Sequence, residues 1–66
     1  MKWLANILSP KPQQLIIQKD RAAGFYLYVY ENGQGVGDYL QDTLEAAKNF
    51  ALKKFKVPLS AWKQIE

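Results

Sequence analysis

The 66-residue chain predicts an α+β domain: a three-stranded antiparallel meander with a C-terminal helix packed on one face and a short N-terminal helix. Three observations point there. Phe25 to Tyr30 alternates, with Phe25, Leu27 and Val29 on one side and Tyr26, Tyr28 and Tyr30 on the other, the period of two of a β-strand. Glu31-Asn32-Gly33-Gln34 follows, and Asn-Gly supplies the positive φ that a tight hairpin turn needs. Leu44, Ala47, Phe50, Ala51 and Phe55 then share one arc at about 100° per residue, a helix face suited to packing across a sheet.

Each element has its own signal. Trp3, Leu4, Ile7 and Leu8 recur at spacings of one, three and four, which places them on one side of a short helix. Ser9-Pro10 and Pro12 end that helix and leave a linker to Gln14, because proline lacks a donor and restricts the residue before it. Two helical turns are not stable alone in water, so this helix is expected to dock on the sheet, on a second copy, on a partner or on a membrane surface. Leu15 to Lys19 forms the first strand, bounded by Asp20-Arg21 and Gly24, and Phe25 to Tyr30 the second. The third runs from about Gly35 to Gln41, with Val36, Asp38 and Leu40 opposing Gly35, Gly37 and Tyr39; its glycines point to a bulge or a close backbone approach.

The helix from about Thr43 to Phe55 opens with Asp42 as N-cap and Glu45 as N3, the pattern of a capping box. Lys54 lies at the edge of its apolar arc and can snorkel, and Val57-Pro58 stops it. In the tail, one turn starting near Pro58 or Ser60 lays Trp62 on the core; a short edge strand from Lys63 to Ile65 is the alternative.

The length fits one domain over residues 1–66, below the usual size of roughly 100 to 150 residues. A core this small leaves only ~3 to 5 kcal/mol of net stability, so mini-proteins commonly add a staple. With no Cys and no His, disulfides and the common zinc sites are excluded, and self-association is the staple that remains. Apolar residues at 48% and charged residues at 23% are globular proportions, so the chain is expected to fold. Met1-Lys2 precedes an apolar run that Asn6 interrupts, and no stretch approaches the ~20 residues of a membrane span; the reading is a cytoplasmic protein.

Nine Lys plus Arg against six Asp plus Glu leave a charge of +3, a weak pull toward anions. Lys48, Lys53, Lys54, Lys56 and Lys63 follow one another without an intervening acid, and Lys48, Lys53 and Lys56 are the candidate anion contacts. Lys53, Lys54 and Lys56 also suit the negative end of the helix dipole.

Catalytic chemistry finds little to use. Nucleophilic catalysis lacks its usual base, His, and Ser9, Thr43 and Ser60 stand where caps and turns need hydroxyls. Of the carboxylates Asp20, Glu31, Asp38, Asp42, Glu45 and Glu66, four fall at turns or caps. Gly33-Gln34-Gly35-Val36-Gly37 lacks the Lys-Ser/Thr of a phosphate loop and opens a strand. No enzyme activity, cofactor or metal site is expected. Tyr26, Tyr28 and Tyr30, joined by Tyr39 from the next strand, form the candidate binding surface, on which a partner's apolar side chains or nucleic-acid bases can stack. The same tyrosines also suit plain sheet packing, and this face is where the N-terminal helix could bury Trp3 and Ile7. The expectation is a non-enzymatic protein-interaction module with a protein partner or self-association. The alternative is nucleic-acid binding through the tyrosines and the basic C-terminal half.

The order helix, three strands, helix resembles the double-stranded RNA-binding domain, with Ala47-Lys48-Asn49-Phe50-Ala51-Leu52 similar to its final helix. That family opens the helix on lysines and carries a Pro-His motif in its first hairpin loop; this chain has Asp42 and Glu45, and Lys19 to Gly24, at those places. Phe25 to Phe55, especially Asp42-Thr43-Leu44-Glu45-Ala46-Ala47, resembles HicB-like antitoxins without their Pro-Gly-Cys-type turn. Over about two-thirds of the chain the likeness is to small uncharacterised bacterial proteins in which such a hairpin and an Asp-Thr-Leu-Glu-Ala helix precede a terminal Trp, here Trp62. That resemblance implies an α+β fold and no activity.

Overall fold

A computed structural model describes residues 1–9 and 11–66. Among these residues the chain forms β1 (Lys2–Ile7), β2 (Gln13–Asp20), β3 (Gly24–Glu31), β4 (Gln34–Gln41), α1 (Leu44–Phe55), a 3-10 turn (Leu59–Ala61) and β5 (Lys63–Gln64). The strands make one antiparallel sheet in the order β4-β3-β2-β1-β5. The α+β class holds, but the sheet has five strands instead of three, and the described residues form no N-terminal helix. Among the described residues no helix is long and apolar enough to cross a membrane.

The N-terminal segment is β1, and its six residues pair with β2 from Lys2 opposite Gln18 to Ile7 opposite Gln13. Trp3, Ala5 and Ile7 are its buried residues, a period of two that coexists in this short run with the helical spacing of Trp3, Leu4 and Ile7. Pairing decides between them: six residues of helix leave most of their N–H and C=O groups unpaired, whereas a strand beside β2 satisfies them in a ladder. The expected linker to Gln14 is therefore a hairpin connection, and β2 starts at Gln13. Pro10, read as a helix stop, lies outside the described residues.

The remaining connections are local. Asp20 Oδ2 accepts from the N–H groups of Ala22 (3.1 Å) and Ala23 (2.7 Å), closing the turn between β2 and β3. Gly24 ends that turn at φ +118°, and a Cβ there would meet the Gln41 carbonyl oxygen at 2.5 Å. Asn32 and Gly33 both have positive φ, 53° and 77°, as the expected two-residue hairpin requires. β4 also carries the expected bulge: Val29 opposes Gly37 while Tyr30 opposes Gly35, so Val36 is the extra residue.

The cap of α1 falls one residue later than the sequence suggested. Thr43 is the N-cap, and its Oγ1 accepts from the Ala46 N–H at 3.0 Å, so Glu45 sits within the first turn near the helix dipole and closes no box with Asp42. A threonine hydroxyl beside an equally eligible Asp42 is a choice that sequence alone leaves open. At the other end Lys56 adopts the left-handed conformation (φ 60°, ψ 34°), and its N–H and that of Val57 turn back to the carbonyls of Leu52 and Ala51. Val57 is fully buried, the apolar contact that usually accompanies such a stop.

The core lies between α1 and one face of the sheet. Leu15, Ile17, Leu27 and Val29 are essentially inaccessible and meet the equally buried Ala47 and Ala51. Tyr39, Phe50 and Phe55 form an aromatic cluster beside them, with ring centroids 4.8 Å apart for Tyr39 and Phe50 and 5.9 Å for Tyr39 and Phe55. Lys54 extends its ammonium over the Tyr39 ring at 5.9 Å, the snorkelling expected of it. The tail realises both readings: a 3-10 turn carries Trp62 onto the core, and β5 then pairs with β1, Gln64 opposite Trp3.

Two substitutions test this local account. Gly24→Ala is expected to cost about 2–3 kcal/mol by urea denaturation, since both its φ and the Gln41 carbonyl oppose a side chain. Lys56→Gly is expected to raise stability by about 0.5–1 kcal/mol by relieving the left-handed strain. A neutral first variant or a destabilised second would contradict these assignments.

Candidate functional site

Antiparallel partners share a face, so the register can be read as rows across the sheet. On the face away from α1, one row runs Lys63, Leu4, Ile16, Tyr28, Asp38 from the β5 edge to the β4 edge. Beside it lies Lys2, Gln18, Tyr26, Leu40, and on the other side Asn6, Gln14, Tyr30, Gly35. Ile65 donates its N–H to the Lys2 carbonyl at 2.8 Å and so stands at the β5 end of the Lys2 row. The centre of the face is aromatic and aliphatic, and its margins are polar.

Among the described residues no element packs over this face, because α1 and Trp62 are both on the other side. The N-terminal segment, expected as a helix able to bury Trp3 and Ile7 on the tyrosines, instead adds Leu4 to their row. Tyr26, Tyr28 and Tyr30 are half-buried because they cover one another and the sheet. The rings of Tyr26 and Tyr28 stack with centroids 5.8 Å apart and planes 18° from parallel. Leu40 remains 47% exposed at the rim. Because Gly35 brings no bulk opposite Tyr30, a shallow groove of about 310 Å³ opens between Tyr28, Tyr30 and Asp38.

Of the expected site residues the structure unites three. Tyr39 does not belong with Tyr26, Tyr28 and Tyr30: it opposes Leu27, so its ring points to the helix side and packs on Phe50 and Phe55. The expected anion contacts are on α1 and its C-cap, across the sheet from the tyrosines, and do not converge. Lys48 borders a groove with Glu45, Asn49 and Leu59, Lys56 borders another with Lys11, Gln13 and Glu31, and Lys53 lines neither. Leu4, Ile16 and Leu40 are the members of the face that sequence reasoning missed. The signal for Ile16 was the apolar run Leu15-Ile16-Ile17, which leaves a large residue on each side of β2.

Three of the six carboxylates, Asp20, Glu31 and Glu66, are engaged locally. Glu31 accepts from Gln13 Nε2 at 2.8 Å and pairs with Lys11 at 3.1 Å, and these two contacts hold its carboxyl below the usual range. Glu66 pairs with Lys2 at 3.6 Å, and Asp20 closes its turn. No cluster of three or more metal-ligating side chains occurs among the described residues. Asp38 and Lys63, at opposite ends of the central row, are both exposed and make no ion pair among the described residues. Comparison with protein-family models, curated proteins and solved structures returns no match.

Tyr28, at the centre of the face, has its phenol pushed above the ordinary 10.0, first by burial and then by Tyr26, Asp38, Tyr30 and Asp20. The fold thus holds the Tyr28 proton more tightly than the unfolded chain does. Its contribution to stability is fully present below pH 10.0 and is lost as pH rises through the higher folded value. A titration followed by phenolate absorbance is expected to contain a late component that Tyr28→Phe removes and Asp38→Asn moves to lower pH. A high-pH limb unchanged by Tyr28→Phe would refute this placement.

Proposed function

We propose that the chain is a small non-enzymatic protein-interaction module whose docking surface is the sheet face centred on Ile16, Tyr26, Tyr28 and Tyr30. The observation that carries this reading is that, among the described residues, no element covers an aromatic and aliphatic face with polar margins. Such a face loses free energy to water and gains it by contact with a partner, and tyrosine supplies large, rigid contact area at small entropic cost. The local engagement of Asp20, Glu31 and Glu66 and the lack of a catalytic set among the described residues support a binding role over a chemical one.

Nucleic-acid binding is the second reading, and its support is the stacked pair Tyr26 and Tyr28. A base-stacking surface needs cations beside it for the phosphates. Here the Lys-rich helix lies across the sheet, and the face itself carries Asp38 along with Lys2 and Lys63. Charge placement therefore favours a polypeptide.

A photo-reactive benzoylphenylalanine at Tyr28 or at Leu40 is expected to cross-link to a discrete polypeptide in the native cell, and one at Lys53 on α1 is not. Cross-links to nucleic acid in place of polypeptide, or equal adducts from all three positions, would overturn the reading.

A further inference from the structure

The occupant of this face can be inferred from its pattern, an inference that rests on the face being a protein-interaction surface. We infer that the occupant is a second copy of this chain, packed sheet on sheet about a two-fold axis parallel to the strands and passing over β2. The central row starts at a cation, Lys63, ends at an anion, Asp38, and is apolar through Leu4, Ile16 and Tyr28. The axis reverses the order of strands in the facing copy and leaves the level along the strands unchanged. Ile16 then meets its own symmetry mate, Leu4 meets Tyr28, and Lys63 meets Asp38 at both ends of the interface.

The flanking rows obey the same operation. Lys2 comes over Tyr26, a cation over an aromatic ring, and Gln18 meets itself. Ile65 comes level with Leu40, both of them apolar residues left exposed in the single chain. Asn6 comes level with Tyr30, and Gln14 meets itself. The other in-plane two-fold axis, perpendicular to the strands, would set Lys63 on Lys63 and Asp38 on Asp38. Charge placement thus selects one of the two face-to-face arrangements. Tilting the chosen axis by about 15° from the strands gives the crossing of about 30° at which twisted sheets pack.

The size of the face sets the strength. Five strands about 4.8 Å apart and five residues at about 3.3 Å each make a face of roughly 24 by 16 Å, so each copy contributes roughly 400 Å². The two together fall in the range of weak, reversible interfaces, with a dissociation constant on the order of tens of micromolar.

Sedimentation equilibrium of the full chain across the micromolar range tests the arrangement. The wild type is expected to pass from monomer to dimer, and Asp38→Lys or Lys63→Asp alone to weaken the dimer about tenfold, since each sets like charges together twice. Mixing these two variants restores wild-type association, because both contacts in the mixed dimer become attractive. Should either charge variant lose its circular dichroism spectrum, a second measurement uses the chain's lack of cysteine. Leu4→Cys and Tyr28→Cys chains, mixed, are expected to join through a short bis-maleimide, and each alone is not. A dimer indifferent to the charge changes, or one in which the mixture gains nothing, overturns the inference. A chain monomeric throughout also overturns it, while the interaction reading survives if the Tyr28 photo-adduct is another polypeptide; it falls with the inference only if no polypeptide adduct forms.

Discussion

The molecule depends on the contact of Ala47 and Ala51 with Leu15, Ile17, Leu27 and Val29, since this is where the only α-helix among the described residues meets the sheet. Alanine at both positions lets the helix axis approach closely, and Phe50 and Phe55 then reach past it to enclose Tyr39. Twelve residues of helix span about 18 Å, enough to cover the middle of one sheet face. Trp3 and Trp62 finish the β1 side of that layer. Among the described residues the one α-helix and both tryptophans are spent on this side, so the one-sided core and the open tyrosine face have a single cause.

The parts of the fold legible in the sequence were those fixed within a few residues. Asn32-Gly33 can serve only a narrow set of turns, and the alternation of Phe25 to Tyr30 has no helical counterpart. The α1 segment is long enough for its arc to repeat. The N-terminal segment has no such redundancy: Trp3, Leu4 and Ile7 fit a helix, Trp3, Ala5 and Ile7 fit a strand, and Ala5 reads as neutral. What settles it is nonlocal. β2 presents Leu15 and Ile17 to one side and Ile16 to the other, the pattern of a strand inside a sheet, and an inside strand needs two neighbours. β3 could supply only one of them, so the sequence held the clue to β1 at Ile16 rather than at Trp3.

That correction changes the reading of the candidate site. With an N-terminal helix, the tyrosines could have formed an inner layer; with β1 in the sheet, Leu4 joins them and the face gains width. Moving Tyr39 to the helix side removes one aromatic from the face, and Leu40 stands in its place beside Tyr26. The lysines were misgrouped for a related reason. Their succession in sequence suggested one basic surface, but α1 turns them around its axis on the far side of the sheet, and two of them serve its negative end. Proximity in sequence became proximity in space for the tyrosines because a strand keeps every second residue on one side.

An open sheet presents two kinds of hazard, its edges and its face, and this chain treats them differently. The β4 edge carries the bulge at Val36, two glycines and the charge of Asp38, all of which disfavour pairing with another strand. The opposite edge ends in β5, only two residues long and carrying Lys63. Pairing along either edge is thereby impeded, while the face between them keeps Leu4, Ile16 and the three tyrosines. The same Asp38 and Lys63 that protect the edges stand at the two ends of the central row. In the dimer inferred above, one pair of charges thus steers association away from the backbone and onto the face, in an orientation where cation meets anion.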